Sequence, residues 1–102
     1  MLLKGQIAVV TGGGRGIGQA IAQRFAAEGA AVVVAARTAK EIETVAAEVT
    51  AAGGRAAAVQ ADVSREEDCQ RIVAAAREKF GALHILVNNA GDYGPVKPVE
   101  EI

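Results

Sequence analysis

Short apolar runs alternate with longer helical periods along most of the chain. Ile7–Thr11 is a brief apolar stretch and reads as a first strand. Between Gly16 and Glu28, the residues Ile17, Ala20, Ile21 and Phe25 fall on one helical face, and Gly29 ends that helix. Ala31–Ala36 is unbroken and rich in valine, the pattern of a strand covered on both faces. Thr38 and Glu41 have capping-box spacing, and behind them Ile42, Val45, Ala46 and Val49 recur at helical intervals up to Gly53-Gly54. Arg55–Ala61 reads as a weaker strand, because alanine is a poor strand former. Ser64 and Glu67 repeat the capping-box spacing and open a helix whose buried face is predicted to be Cys69, Ile72, Val73, Ala76 and Phe80. Gly81 closes it, Ile85-Leu86-Val87 starts a fourth strand, and residues 91–102, with Gly94, Pro95 and Pro98, read as loop.

The order is therefore βαβαβαβ. Such alternation predicts an α/β fold, a Rossmann-type doubly wound parallel sheet with right-handed crossovers. The glycine-rich turn after the first strand predicts the strand order 3-2-1-4. No internal repeat, linker or second domain is visible, so residues 1–102 read as one unit.

Thr11-Gly12-Gly13-Gly14-Arg15-Gly16-Ile17-Gly18 carries the chemistry. A chain turning sharply from strand to helix needs backbone angles that a Cβ forbids, and glycine also lets a ligand touch the main chain. The helix that starts there presents unpaired N–H groups and the positive end of its dipole. Together these make an anion site suited to a pyrophosphate. Gly12 and Gly16 allow close approach of phosphates, and Gly18 lets the helix pack tightly on the sheet. The motif alone is unspecific; its setting between a strand and a helix at the start of a βαβ unit gives it weight.

At the end of the second strand, an NAD-selecting fold places an acidic residue against the ribose 2′-hydroxyl. This chain has Ala36 and Arg37 there, with no carboxylate until Glu41. Arg15 and Arg37 converging on one ribose suit a 2′-phosphate, which guanidinium groups grip bidentately. The expected cofactor is NADP(H) rather than NAD(H).

Composition narrows the classes. Hydrophobic residues make up 51% of the 102 residues and charged residues 23%, which excludes a disordered chain. Aromatics are only 3%, so the core is built from Ala, Val, Ile and Leu. A net charge of -1 with no basic stripe argues against nucleic acid as a partner. No apolar run approaches the roughly 20 residues that cross a bilayer, and Met1-Leu2-Leu3-Lys4-Gly5 is too short for a signal peptide. With one cysteine, Cys69, no intrachain disulfide forms and a reducing cytoplasm is the expected setting. Cys69 is expected in the core, His84 on a surface turn, and no metal site is expected.

Three motifs in order, Thr11-Gly12-x-x-x-Gly16-x-Gly18, Asp62-Val63 after the third strand and Asn88-Asn89-Ala90-Gly91 after the fourth, resemble the short-chain dehydrogenase/reductase family over most of the chain. The resemblance implies that Asp62 and Val63 flank the adenine, with Asp62 accepting from its exocyclic amine. It implies that Asn88 and Ala90, with Gly91, border the adenosine ribose, that Asn89 supports the sheet, and that Ile17 packs by the cofactor. Gly14 stands where many members have a phosphate-binding serine. Taken alone, Asp62 reads equally as the residue ahead of a Ser64 cap, and Asn88-Asn89 as a strand end.

The resemblance further implies hydride transfer between nicotinamide and a carbonyl or alcohol carbon, in a homo-oligomer. The family's serine, tyrosine and lysine come well after the fourth strand, so the chain is expected to be an amino-terminal part, truncated before the later strands and inactive alone. Tyr93 and Lys97 match Tyr-x-x-x-Lys in letters only. That spacing works on a helix face, and Pro95 biases Gly94 away from helix. A stand-alone nucleotide-binding module without catalysis is the competing reading.

Overall fold

The computed structural model describes residues 3–12 and 16–88. Seven elements alternate: β1 (Ile7–Thr11), α1 (Gly16–Ala27), β2 (Ala31–Ala36), α2 (Ala39–Ala51), β3 (Arg55–Gln60), α3 (Glu66–Phe80) and β4 (Ile85–Asn88). All strand pairs are parallel, and the sheet order is β3-β2-β1-β4, as the pattern predicts. The register pairs Thr11 with Ala35 on one side and Asn88 on the other. The order reverses between β1 and β4, so the crevice that such sheets offer to ligands opens at the carboxyl ends of these strands.

Side chains alternate between the two faces of a strand, and the core divides accordingly. Val10, Val32 and Val34 pack with Ala22 of α1 and with Ile42 and Val45 of α2. Ile7, Val9, Val33 and Ala35 pack with Ile72 and Ala76 of α3 on the opposite face. Right-handed crossovers explain the split: two successive steps from β1 to β3 put α1 and α2 on one face, and the return to β4 puts α3 on the other. Every residue of β1 is buried, and β2 is buried up to its last residue. No helix among the described residues is long and apolar enough to cross a membrane.

Three local expectations change. In α1 the buried residues are Gly18 and Ala22, with Ile21 and Phe25 half-buried and Ala20 exposed, while Ile17 is 71% exposed. Gly18 and Ala22, four residues apart, form the contact line and let the helix lie close to the sheet, with Ile21 and Phe25 flanking it. In α3, Ile72 and Ala76 are buried, Val73 and Phe80 are half-buried, and Cys69 is exposed rather than in the core. Its thiol lies 3.3 Å from the Val63 carbonyl, at the mouth of a cleft instead of over the sheet.

The caps also differ. Thr38 is the N-cap of α2 but makes no side-chain cap bond; its carbonyl accepts the Glu41 and Ile42 N–H groups at 3.2 and 3.4 Å. The N-cap of α3 is Arg65, not Ser64. The Asp62 carboxylate takes the Ser64 hydroxyl and N–H instead, at 2.6 and 3.0 Å. The two bonds close a local Asx-turn, and the Ser64 N–H that a capping box would give to Glu67 goes to Asp62.

His84 is exposed and ties two strands together. Its Nδ1 accepts the Ile7 N–H at 3.0 Å, and its main-chain N–H donates to the Ile7 carbonyl at 2.8 Å, which extends the β1–β4 ladder beyond the strand.

Candidate cofactor site at the carboxyl edge of the sheet

The turn between β1 and α1 is shaped by glycine. Gly12 has φ 66° and Gly16 φ 62°, both in the left-handed region that a side chain resists. The Gly12 N–H donates to the Ala35 carbonyl at 2.7 Å. That amide therefore fastens the turn to β2, and what Gly12 offers a ligand is its bare Cα. A Cβ placed on Gly16 would meet no atom within 4 Å, so the space in front of it is open. The first turn of α1 contains no acidic residue, and no carboxylate of its own neutralises its positive end. Ile17 stands exposed at the same edge, and Gly18 is buried against the sheet. Gly13, Gly14 and Arg15 lie outside the described residues.

β2 leaves the sheet at Ala36, and only Arg37 and Thr38 separate it from α2. Arg37 is exposed. Its carbonyl accepts Gln60 Nε2 at 3.0 Å, and Ala61 donates to the Ala36 carbonyl at 2.9 Å. The Gln60 carbonyl in turn receives the Arg71 guanidinium from α3.

Asp62 and Val63 follow β3 at the same edge. The Asp62 N–H donates to Asp68 Oδ2 at 2.8 Å, and Arg71 Nη2 lies 3.7 Å from Asp68 Oδ1. The Ser64 hydroxyl, then the Ser64 N–H, hold the Asp62 carboxyl below the ordinary aspartate range; desolvation opposes them, and Arg37 and Arg65 add smaller attractions. Asp62 is thus an anchored anion with further acceptor capacity on its carboxylate.

Among the described residues, Thr11 is the buried polar residue, at 4% exposure. Its hydroxyl lies 3.0 Å from Asn88 Oδ1 and 3.3 Å from the Val87 carbonyl, so it ties β1 to the end of β4. Thr11, Val63 and Asn88 meet at the rim of a cleft of about 390 Å³, whose floor is the apolar Val9, Ile72 and Leu86. Asn89, Ala90, Gly91, Tyr93 and Lys97 lie outside the described residues.

The fold thus brings Gly12, Gly16, Ile17, Arg37, Asp62, Val63 and Asn88 to one edge of the sheet. Sequence reasoning misses Gln60, Asp68 and Arg71, which hold that edge together. Their partners lie on other elements, and only the strand order makes them neighbours. A parallel 3-2-1-4 sheet with a glycine turn after its first strand defines the Rossmann class of nucleotide-binding α/β folds.

Comparison with known proteins specifies the family. The profile of the short chain dehydrogenases matches residues 6–102. The chain belongs to that family, whose members are oxidoreductases that bind NAD(P). Among curated relatives, it is 51% identical over 92 residues to an uncharacterized oxidoreductase of Methylorubrum extorquens, covering 89% of this chain and 37% of that one. It is 52% identical over 91 residues to 3beta-hydroxysteroid dehydrogenase 1 of Eggerthella lenta, covering 87% and 34%. A Serratia marcescens short-chain dehydrogenase/reductase, solved as a mutant, superposes with a TM-score of 0.86 at 47% identity, over 100% of this chain and 42% of that one. Apo glucose dehydrogenase of Caenorhabditis elegans gives 0.84 at 38% identity, over 91% and 40%. The chain spans little more than a third of the length of the curated relatives it matches.

Proposed function

We propose that the protein is an NADP(H)-dependent oxidoreductase that moves hydride between a nicotinamide and a carbonyl or alcohol carbon, and that residues 1–102 hold the adenosine and pyrophosphate end of the cofactor. The observation that carries the cofactor choice is the exit of β2, where an exposed Arg37 takes the place of a carboxylate. An acidic residue there accepts a ribose 2′-hydroxyl; a guanidinium grips a 2′-phosphate in its place.

The residues present fit the dinucleotide. Gly12 and Gly16 have backbone angles that leave the start of α1 open, and an anion bound there finds main-chain donors and the helix dipole. Gly13, Gly14 and Arg15 complete that turn in sequence, with Arg15 joining Arg37 on the 2′-phosphate. Ile17 covers the cofactor at the helix start. Asp62, already fixed by Ser64, accepts from the adenine amine, and Val63 packs beside the ring. Asn88, Ala90 and Gly91 border the adenosine ribose.

When bound, the nicotinamide supplies the hydride or receives it. The contribution of this segment is to place the ring, a positioning role rather than acid–base chemistry. The serine and the helical Tyr-x-x-x-Lys pair expected of the family are not among the described residues. A single cysteine fits a reducing, cytoplasmic setting, and assembly into a homo-oligomer completes the proposal.

The test is a pair of fluorescence titrations with NADPH and NADH, repeated on Arg37→Asp. The parent is expected to bind NADPH more tightly, and Arg37→Asp to reverse the order. Tighter NADH binding in the parent defeats the proposed cofactor choice.

A further inference from the structure

We propose that Gln60 is a positioning residue for cofactor choice: its side-chain amide pins the Arg37 peptide and so aims the guanidinium at a 2′-phosphate. The inference deepens the proposed function and rests on the role given there to Arg37. Gln60 is the last residue of β3 and pairs with Ala36, the last residue of β2. Beyond that rung the chain bends, and the Arg37 carbonyl accepts Gln60 Nε2 at 3.0 Å. Thr38 makes no side-chain cap bond, and this bond from β3 ties the two-residue turn to another element. The long Arg37 side chain is exposed. Its reach into the site is therefore governed by the backbone that carries it.

Gln60 is itself held from the other side. Its carbonyl receives the Arg71 guanidinium of α3. Arg71 lies 3.7 Å from Asp68, which holds the Asp62 N–H at 2.8 Å. One polar chain thus runs along the rim from Arg37 at the ribose end to Asp62 at the adenine end. A guanidinium on a pinned turn loses less freedom when it meets an anion, and that smaller loss appears as affinity. NADH has no 2′-phosphate and draws nothing from it.

The experiment measures NADPH and NADH dissociation constants by fluorescence titration of the complete gene product. The variants are Gln60→Met, which keeps the length and removes the donor, Arg37→Ala, and the double variant. Losing one such hydrogen bond is expected to weaken NADPH about three- to tenfold. NADH is expected to change by less than about twofold, and Gln60→Met is expected to add nothing further to Arg37→Ala, since the two act as one unit. Equal losses for both cofactors, or additive losses in the double variant, overturn the proposal. If Arg37→Ala weakens NADPH and Gln60→Met does not, Gln60 has no such role while the Arg37 reading stands. If Arg37→Ala leaves NADPH unchanged, the Arg37 reading falls and this one with it. Should Gln60→Met fail to fold, Gln60→Leu is judged by the same NADPH-to-NADH ratio, which a merely structural role would leave constant.

Discussion

Gly16 and Gly81 form a matched pair that separates backbone strain from cofactor binding. Gly16 has φ 62° and Gly81 φ 92°, and a Cβ on either would meet nothing within 4 Å. Replacement by alanine therefore costs strain without collision, about 1–2 kcal/mol in each case. The two differ in place: Gly16 opens α1 at the carboxyl edge of the sheet, and Gly81 caps α3 near the amino end of β4. Urea unfolding without cofactor should give similar losses for Gly16→Ala and Gly81→Ala. In the proposed site, only the Gly16 methyl stands where a diphosphate approaches the main chain. Losing one hydrogen bond to that charged group costs about 1.5–3 kcal/mol, at least tenfold in affinity for NADPH and NADH alike. Unfolding repeated at a cofactor concentration 100 times the parent dissociation constant should stabilise the parent and Gly81→Ala by about 2.7 kcal/mol, against about 1.4 kcal/mol or less for Gly16→Ala. Equal stabilisation of the two variants refutes the placement of the diphosphate at the start of α1.

Three further outcomes are expected. His84→Ala removes the acceptor of the Ile7 N–H and should cost about 1 kcal/mol in urea unfolding, whereas His84→Asn, which keeps an acceptor, should cost much less. The Asp62 carboxyl should titrate by carbon NMR below the ordinary aspartate range, and Ser64→Ala should move it upward. Because the folded value is the lowered one, any stability Asp62 contributes is present above the ordinary value and lost as pH falls through the folded one. Residues 1–102 alone should show no cofactor-dependent carbonyl reduction above a protein-free blank, and any turnover at high purity contradicts the assignment of proton transfer to groups outside this segment.

The strands were legible because their signal does not depend on neighbours: an unbroken valine-rich run has one comfortable place, the middle of a covered sheet, and the bounds of β1 and β2 coincide with those runs. The main-chain part of the site was legible for a related reason, since a glycine with positive φ leaves its mark on the sequence whatever surrounds it. Helix faces were less so. Periodicity shows that a helix has an apolar side but not which line of it lies nearest the sheet, and Gly18 and Ala22, four residues apart, hold that line while Ile17 and Ala20 are exposed. The same reasoning failed for Cys69, apolar by type but one turn into α3 at an open cleft. The side-chain network was not legible at all. Gln60 and Arg37 are 23 positions apart, and Arg71 lies 11 beyond Gln60. No local pattern links them; the β3-β2-β1-β4 order does. Where a local pattern did exist, as at Ser64-x-x-Glu67, the Ser64 N–H that a capping box gives to Glu67 goes instead to the Asp62 carboxylate at 3.0 Å, beside the Ser64 hydroxyl at 2.6 Å. Hydrogen bonds to an ionised acceptor are shorter and stronger than those between neutral groups. The capping-box spacing cannot reveal that competing acceptor two residues upstream, and the same two bonds hold Asp62 rigid where the proposed adenine contact needs it.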